Sequence, residues 1–231
     1  IARKIPTPTA ILCISAHWET RGTFVTAMEM PQTIHDFGGF PKELFDVKYP
    51  AKGSPELAQL TKELILPTAT SLDYDWGLDH GAWSVIKHLY PEANIPVIQM
   101  SIDYSLTGQA HFDIAKKLQS LRERGILIIG SGNIVHNLRM VDWANFHKDN
   151  YGFDWAIEAR EKINKNIIDG DFANLINYQK QGKAFDLAIP TPDHYLPLLY
   201  TLGLKNESEN LQLFNDKLLA GSLSMTSVKI G

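Results

Sequence analysis

The 231-residue sequence has a single cysteine, Cys13, so no disulfide can form within the chain. That usage fits a reducing compartment, and the expected setting is cytoplasmic. No Lys/Arg cluster stands out, the net charge is −4 and the pI is about 6.1, values that exclude the basic profile of a nucleic-acid binder. No apolar run approaches the roughly 20 residues that span a bilayer, so no membrane partner is expected. The opening residues Ala2-Arg3-Lys4-Ile5-Pro6 carry no signal-peptide pattern. Gly130-Ser131-Gly132-Asn133 resembles half a phosphate loop but lacks the Gly-Lys-Ser/Thr that completes one, and Ser131 lacks a nucleophile elbow. Asp73, Asp75 and Asp79 lack the glycine and terminal glutamate of a calcium loop and read as solvated or capping residues. What remains, at 44% hydrophobic and 21% charged, is ordinary for a soluble enzyme, with enough chain for one large domain or two small ones.

The strongest feature present is Ala10-Ile11-Leu12-Cys13-Ile14-Ser15-Ala16-His17-Trp18-Glu19, an apolar run that ends abruptly in Ser-Ala-His. Such a run reads as a strand buried on both faces. In open α/β sheets, ligands and catalytic groups collect just past the carboxyl ends of these strands, where His17 sits. A second run, Gly125 to Ser131, does the same and delivers His136. Further strands are expected at 23–28, 95–102 and 223–230. Helices are expected from the Ser54-Pro55 cap to Leu66, over 82–90, over 108–124 with Gly125 as its C′ residue, over 153–168 and 171–179, and through Leu202. Strands alternating with helices imply an α/β fold with a largely parallel central sheet covered by helices on both faces. One domain spanning residues 1–231 is expected.

Eight histidines decide nothing by number. His88, His111 and His147 lie in or beside helices or polar segments and read as structural or surface residues. His17, His35, His80, His136 and His194 each sit in a turn-rich segment with Gly, Pro, Asn or Asp. Loops placed by a rigid scaffold are where binding and catalysis concentrate. Taken singly, each is as readily a histidine hydrogen-bonded to backbone at a strand end. Five together suggest a histidine-built site suited to iron or zinc, or to acid–base work near neutral pH.

Five motifs in order carry a resemblance: Ser15-Ala16-His17-Trp18; Ile34-His35-Asp36-Phe37-Gly38-Gly39-Phe40-Pro41; Leu78-Asp79-His80-Gly81; Gly130-Ser131-Gly132-Asn133-Ile134-Val135-His136-Asn137; and Pro192-Asp193-His194-Tyr195-Leu196-Pro197. From about Thr9 to the C-terminus the sequence resembles the DODA-type 4,5-DOPA extradiol dioxygenases, within the class III, LigB-like ring-cleavage enzymes. The resemblance implies a non-haem Fe(II) site, with zinc often found in purified material, acting on a catechol and O2. By the match His17 and His194 look like metal ligands. His136 occupies the place of the active-site base and is also expected near the metal, and His80 matches a second acid/base histidine that helps position the catechol. His35 is expected to contact substrate, and Trp18 and Tyr195 are expected to stack on a planar ring. The family also opens with a strand ending in a Gly-His-Gly-Ser-Pro-like motif whose histidine is a ligand. This sequence starts at Ile1 without Met and contains no such segment, so it is expected to be N-terminally incomplete.

The expected activity is therefore extradiol cleavage of a DOPA-like or other substituted catechol. The alternatives on the same scaffold are a metal-binding interaction protein without catalysis and a zinc hydrolase using metal-bound water.

Overall fold

The computed structural model describes residues Ala2–Gly231. In chain order its principal elements are β1 (Ala10–Thr20), β2 (Thr23–Thr26), α1 (Lys42–Phe45), α2 (Pro55–Leu64), β3 (Thr70–Asp73), α3 (His80–Leu89), β4 (Val97–Asp103), α4 (Gly108–Lys117), α5 (Gln119–Glu123) and β5 (Ile126–Ser131). These are followed by α6 (Asp154–Asp169), α7 (Phe172–Ile176), α8 (Lys183–Ala188), α9 (Leu196–Gly203), β6 (Leu211–Phe214), β7 (Leu218–Leu219), β8 (Leu223–Ser224) and β9 (Ser227–Ile230). The chain divides into two compact units, one of residues 1–106 with 117–131, the other of 107–116 with 132–231.

The first unit is built on a five-stranded sheet of order β3-β2-β4-β1-β5. β1 pairs in parallel with β4 and β5, and β2 in parallel with β3. Only the β2–β4 contact, through Val25 and Met100, is antiparallel. The sheet is thus mixed and mostly parallel, as the alternating pattern predicts. The apolar run of β1 lies mid-sheet and is buried from Ala10 to Ala16. Ile11 and Cys13 pack with Tyr49, Leu78, Ala82, Trp83, Ile86 and Val97. Burial, and secondarily the charge of Asp79, raise the pKa of the Cys13 thiol well above its ordinary value, which leaves it an inert apolar filler.

Three expectations need correcting. β5 is half-buried along its whole length, because it is the edge strand among the described residues; an apolar run does not reveal whether a strand is flanked on both sides. The single helix expected over 108–124 is two, with Leu118 between them. The expected final strand is likewise two pieces, β8 and β9, interrupted at Met225-Thr226.

In the second unit, α6 buries Ala156, Ala159, Ile163 and Ile167, a three- and four-residue spacing that lays one face against α7 and α8. α9 is buried nearly all round, in keeping with its largely apolar composition. Arg160 of α6 donates from Nε and Nη2 to the carboxylate of Asp216, which also accepts from Asn164 and Thr226.

Candidate functional site

The first cluster grows from the C-terminal end of β1. Pairing with β4 runs in register to Ile14, then shifts before Glu19. His17 lies in that irregular stretch, where a strand's side chains are re-aimed. Behind it stands a buried polar frame. The His17 N–H donates to Ser15 Oγ at 3.2 Å, and that hydroxyl donates to Asp79 Oδ1 at 2.7 Å. Asp79, fully buried, caps α3 by accepting the Ala82 N–H. Its own N–H donates to Gln99 Oε1, and Gln99 Nε2 donates back to Asp79 Oδ2. Of the two readings open for Asp79, capping is therefore right and solvation is not.

This frame delivers His80 as the first residue of α3, its ring centroid 3.8 Å from that of His17. Gly81 makes the approach possible. A Cβ there would lie 2.4 Å from Ser15 Oγ and 2.7 Å from His17 Cδ2. Asp36 completes the group: its Oδ2 lies 2.9 Å from His80 Nδ1 and 3.4 Å from His17 Nδ1, and its Oδ1 accepts the His80 N–H at 2.8 Å.

The second cluster is held by the backbone around β8. The His136 N–H donates to Ala188 O, and His136 bridges Leu223. Asn137 is tied to Ser222 and Leu187 by backbone and side-chain bonds. His194 packs over Gly132, where a Cβ would meet the His194 carbonyl oxygen at 2.4 Å. The imidazoles of His136 and His194 stack with centroids 3.5 Å apart and planes 9° from parallel. Asp193 Oδ2 lies 3.8 Å from His194 Nε2, and the Asn133 N–H points at His194 Nδ1 over 3.4 Å.

Each cluster offers two imidazoles and one carboxylate, with donor atoms within 4.8 Å of one another. That donor set suits a non-haem Fe(II) oxygenase site. Neighbouring ligands each about 2.1 Å from an ion stand about 3 Å apart, so the donor spacing of the first cluster fits. The second differs. An imidazole binds metal in its own plane, and two parallel planes about 3.5 Å apart share no point at bonding distance. As arranged, the two rings cannot both ligate one ion.

The remaining predicted contacts fall elsewhere. His35 Nε2 is engaged with Val47 O at 2.9 Å, and its ring packs among Phe37, Phe45 and Trp83. Trp18 is 4% exposed and stacks on Trp76. Tyr195 is 1% exposed, and its hydroxyl donates to Leu175 O. His111 is buried against Tyr200 OH, and His88 and His147 are exposed, in line with their structural or surface reading. The two carboxylates, Asp36 and Asp193, are the cluster members that sequence reasoning passed over. Each directly adjoins a candidate histidine in sequence, and that adjacency was the available signal.

A mostly parallel α/β sheet with a histidine–carboxylate cluster near the carboxyl end of a central strand is a common architecture of small-molecule enzymes. Residues 1–224 match the family described as the catalytic LigB subunit of aromatic ring-opening dioxygenase; the chain belongs to that family and is an extradiol ring-opening dioxygenase. It is 48% identical, over all of its length and 85% of the relative's, to a 4,5-DOPA dioxygenase extradiol of Escherichia coli K12. It is 35% identical, over 96% of its length and 82% of the relative's, to the protein of that name in Beta vulgaris. A crystal structure of an uncharacterized Escherichia coli K12 protein superposes with a TM-score of 0.86 at 43% identity, covering all of this chain and 89% of that one. Among the described residues no helix is long and apolar enough to cross a membrane.

Proposed function

We propose that the chain opens the ring of a substituted, DOPA-like catechol with O2, using Fe(II). The observation that carries this reading is the close pairing of His17 and His80, ring centroids 3.8 Å apart beside Asp36, in a family of ring-opening dioxygenases. The names of the relatives at 48% and 35% identity support the DOPA-like substrate.

In this reading His17 and His194 each supply a metal ligand. Bound Fe(II) supplies Lewis acidity toward the phenol oxygens and redox chemistry toward O2. The protein's own part is proton handling. A catechol enters with two phenolic protons, and a histidine near its own pKa can take one and return it to the opened product. His136 is assigned as that base, a reading its stacking on His194 supports. His80, held at the head of α3, is the second acid/base group and orients the ring. Phe37, edge-on to His80 at 5.3 Å, belongs to the exposed aromatic loop that would flank a planar substrate. Tyr195 is left out of the substrate contacts because its ring has almost no exposed surface.

The test is anaerobic loading with Fe(II), then addition of L-DOPA and other catechols with oxygen. A yellow ring-opened semialdehyde and catechol-dependent oxygen uptake are the expected result. Iron binding with no colour from any catechol would sink the substrate assignment and return attention to a binding-only or hydrolytic role.

A further inference from the structure

We propose that Phe40 is a specificity-determining residue that selects among catechols by the substituent on their ring. The inference deepens the catechol reading and rests on it, because it takes the surroundings of His80 as the place where the ring is held. Three phenylalanines, Phe37, Phe40 and Phe45, lie on the loop and short helix that follow Asp36. Phe37 is the inner one. Its ring stands edge-on to His80 at 5.3 Å and is clamped by Phe45 at 4.9 Å, His35 at 5.8 Å and Trp83 at 6.3 Å. Phe40 is the outer one. It meets Phe37 edge-on at 5.4 Å and is 57% exposed, the most exposed phenylalanine among the described residues. A chain of ring contacts thus runs from His80 through Phe37 to Phe40 and ends in solvent.

Grouped apolar side chains left in water mark a surface that a ligand covers. Here the group includes Phe40, Leu44 and Phe45, and α1 buries none of its residues, so the core has not recruited this segment. The backbone nevertheless presets how Phe40 is shown. Pro41 biases the residue before it toward extended backbone, and its carbonyl accepts the Leu44 N–H at 3.1 Å as α1 begins. On the other side Gly39 holds a φ of +77°, which favours glycine. A Cβ on Gly38 or Gly39 would meet no atom within 4 Å, so the turn before Phe40 borders open space. That is room for a group projecting from a ring held at His80. The chemistry offered there is carbon: Lys42, the cation nearest Phe40 in sequence, is engaged with Asp46 at 3.1 Å. Phe40 therefore favours substituents that begin with methylene or aryl carbons. Plain catechol, with no substituent, does not reach it.

The experiment compares catechol with 4-propylcatechol, which has the carbon length of the DOPA side chain without its charges. With Fe(II) and O2, Phe40→Ala should raise KM for 4-propylcatechol about 10-fold, the usual worth of a lost apolar contact. KM for catechol, and kcat for both compounds, should stay near wild type, the pattern of lost uniform binding. Phe40→Leu keeps an apolar group and should recover part of the loss. Both variants should match wild type in circular dichroism and urea midpoint, since Phe40 lies mostly in solvent. Anaerobic calorimetry on the same Fe(II)-loaded chains gives a readout independent of turnover. Affinity for 4-propylcatechol should fall in Phe40→Ala, and affinity for catechol should not. Equal changes for the two compounds, or none for either, overturn the proposal. Selective loss of 4-propylcatechol binding in a chain that opens no catechol upholds Phe40 and sinks the DOPA-like substrate reading instead.

Discussion

The two clusters have the same composition and opposite internal geometry. In the first, the carboxylate of Asp36 reaches both imidazoles through their Nδ1 atoms, and the rings are tilted by 50°. In the second, the imidazoles lie face to face, and the carboxylate of Asp193 reaches one of them at 3.8 Å. Two histidines and an aspartate therefore do not define a role by themselves. In the first, the two rings share one carboxylate. In the second, on the proposed reading, one ring ligates the metal while the other, parallel to it, handles a proton.

The sharpest way to break this comparison is to remove one histidine from each cluster. His17→Ala should abolish turnover and lower iron per chain, since it takes away a proposed ligand. His136→Ala or His136→Phe should keep much of the iron and still lose about 100-fold or more in turnover, the usual worth of a general base. Iron analysis beside steady-state rates separates the cases. If iron falls with activity in the His136 variants, His136 is a ligand first and the distinction between the clusters collapses.

Next in size is the pair of glycines under the clusters. Gly81→Ala would press on Ser15 Oγ and the His17 ring, and Gly132→Ala on the backbone carbonyl of His194. Overpacking of this kind costs about 1–3 kcal/mol, read as a drop in the urea midpoint. The Gly132 variant should suffer more, because a side chain can turn aside where a backbone carbonyl cannot. Equal and negligible losses at both sites would show that neither cluster depends on close approach.

A third test addresses the scaffold of the second unit. Burial disfavours the ionised form of Asp216, but hydrogen bonds from Arg160, Thr226 and Asn164 outweigh it and hold the pKa down at about 2. A carboxyl whose folded pKa lies below its unfolded value of about 3.9 stabilises the fold above that value, and the contribution is lost as pH falls toward 2. Asp216→Asn should therefore be less stable than wild type at pH 6, with the gap in melting temperature narrowing steadily from pH 4 to pH 2. A gap independent of pH would mean that the loss is one of packing rather than charge.

Much of this was legible in the sequence, for identifiable reasons. An unbroken apolar run can only be a buried strand or a buried helix, and the buried strand is there; it continues to Thr20, so His17 lies within its irregular final stretch rather than at its terminus. The Ser54-Pro55 cap stood out because capping is local chemistry, and α2 begins at Pro55 with Ser54 accepting the Leu57 N–H. What escaped was whatever depends on partners distant along the chain. Asp36 meets His80 across 44 residues, and no spacing rule reports that contact. The antiparallel β2–β4 contact and the edge position of β5 are likewise facts of assembly. The aromatics beside the site histidines show the same limit: Trp18 and Tyr195 follow His17 and His194 in sequence, yet both are buried.

That last point gives the smallest effect and a clean check on which aromatics belong to the chemistry. Tyr195 packs against Tyr178 with ring centroids 4.8 Å apart, and its hydroxyl donates to the Leu175 carbonyl at 2.9 Å. Burial first, and then the neighbouring Tyr178, push its phenol above the ordinary tyrosine range, so it stays protonated and acts only as a donor in this bond. Tyr195→Phe keeps the ring and deletes that donor, leaving the Leu175 carbonyl without the Tyr195 bond. The expected cost is about 1 kcal/mol of stability, the net worth of one such hydrogen bond, with KM and kcat for the catechol unchanged. A several-fold rise in KM without loss of stability would instead place the Tyr195 hydroxyl against the substrate. Its burial in the core would then have to open when the catechol binds.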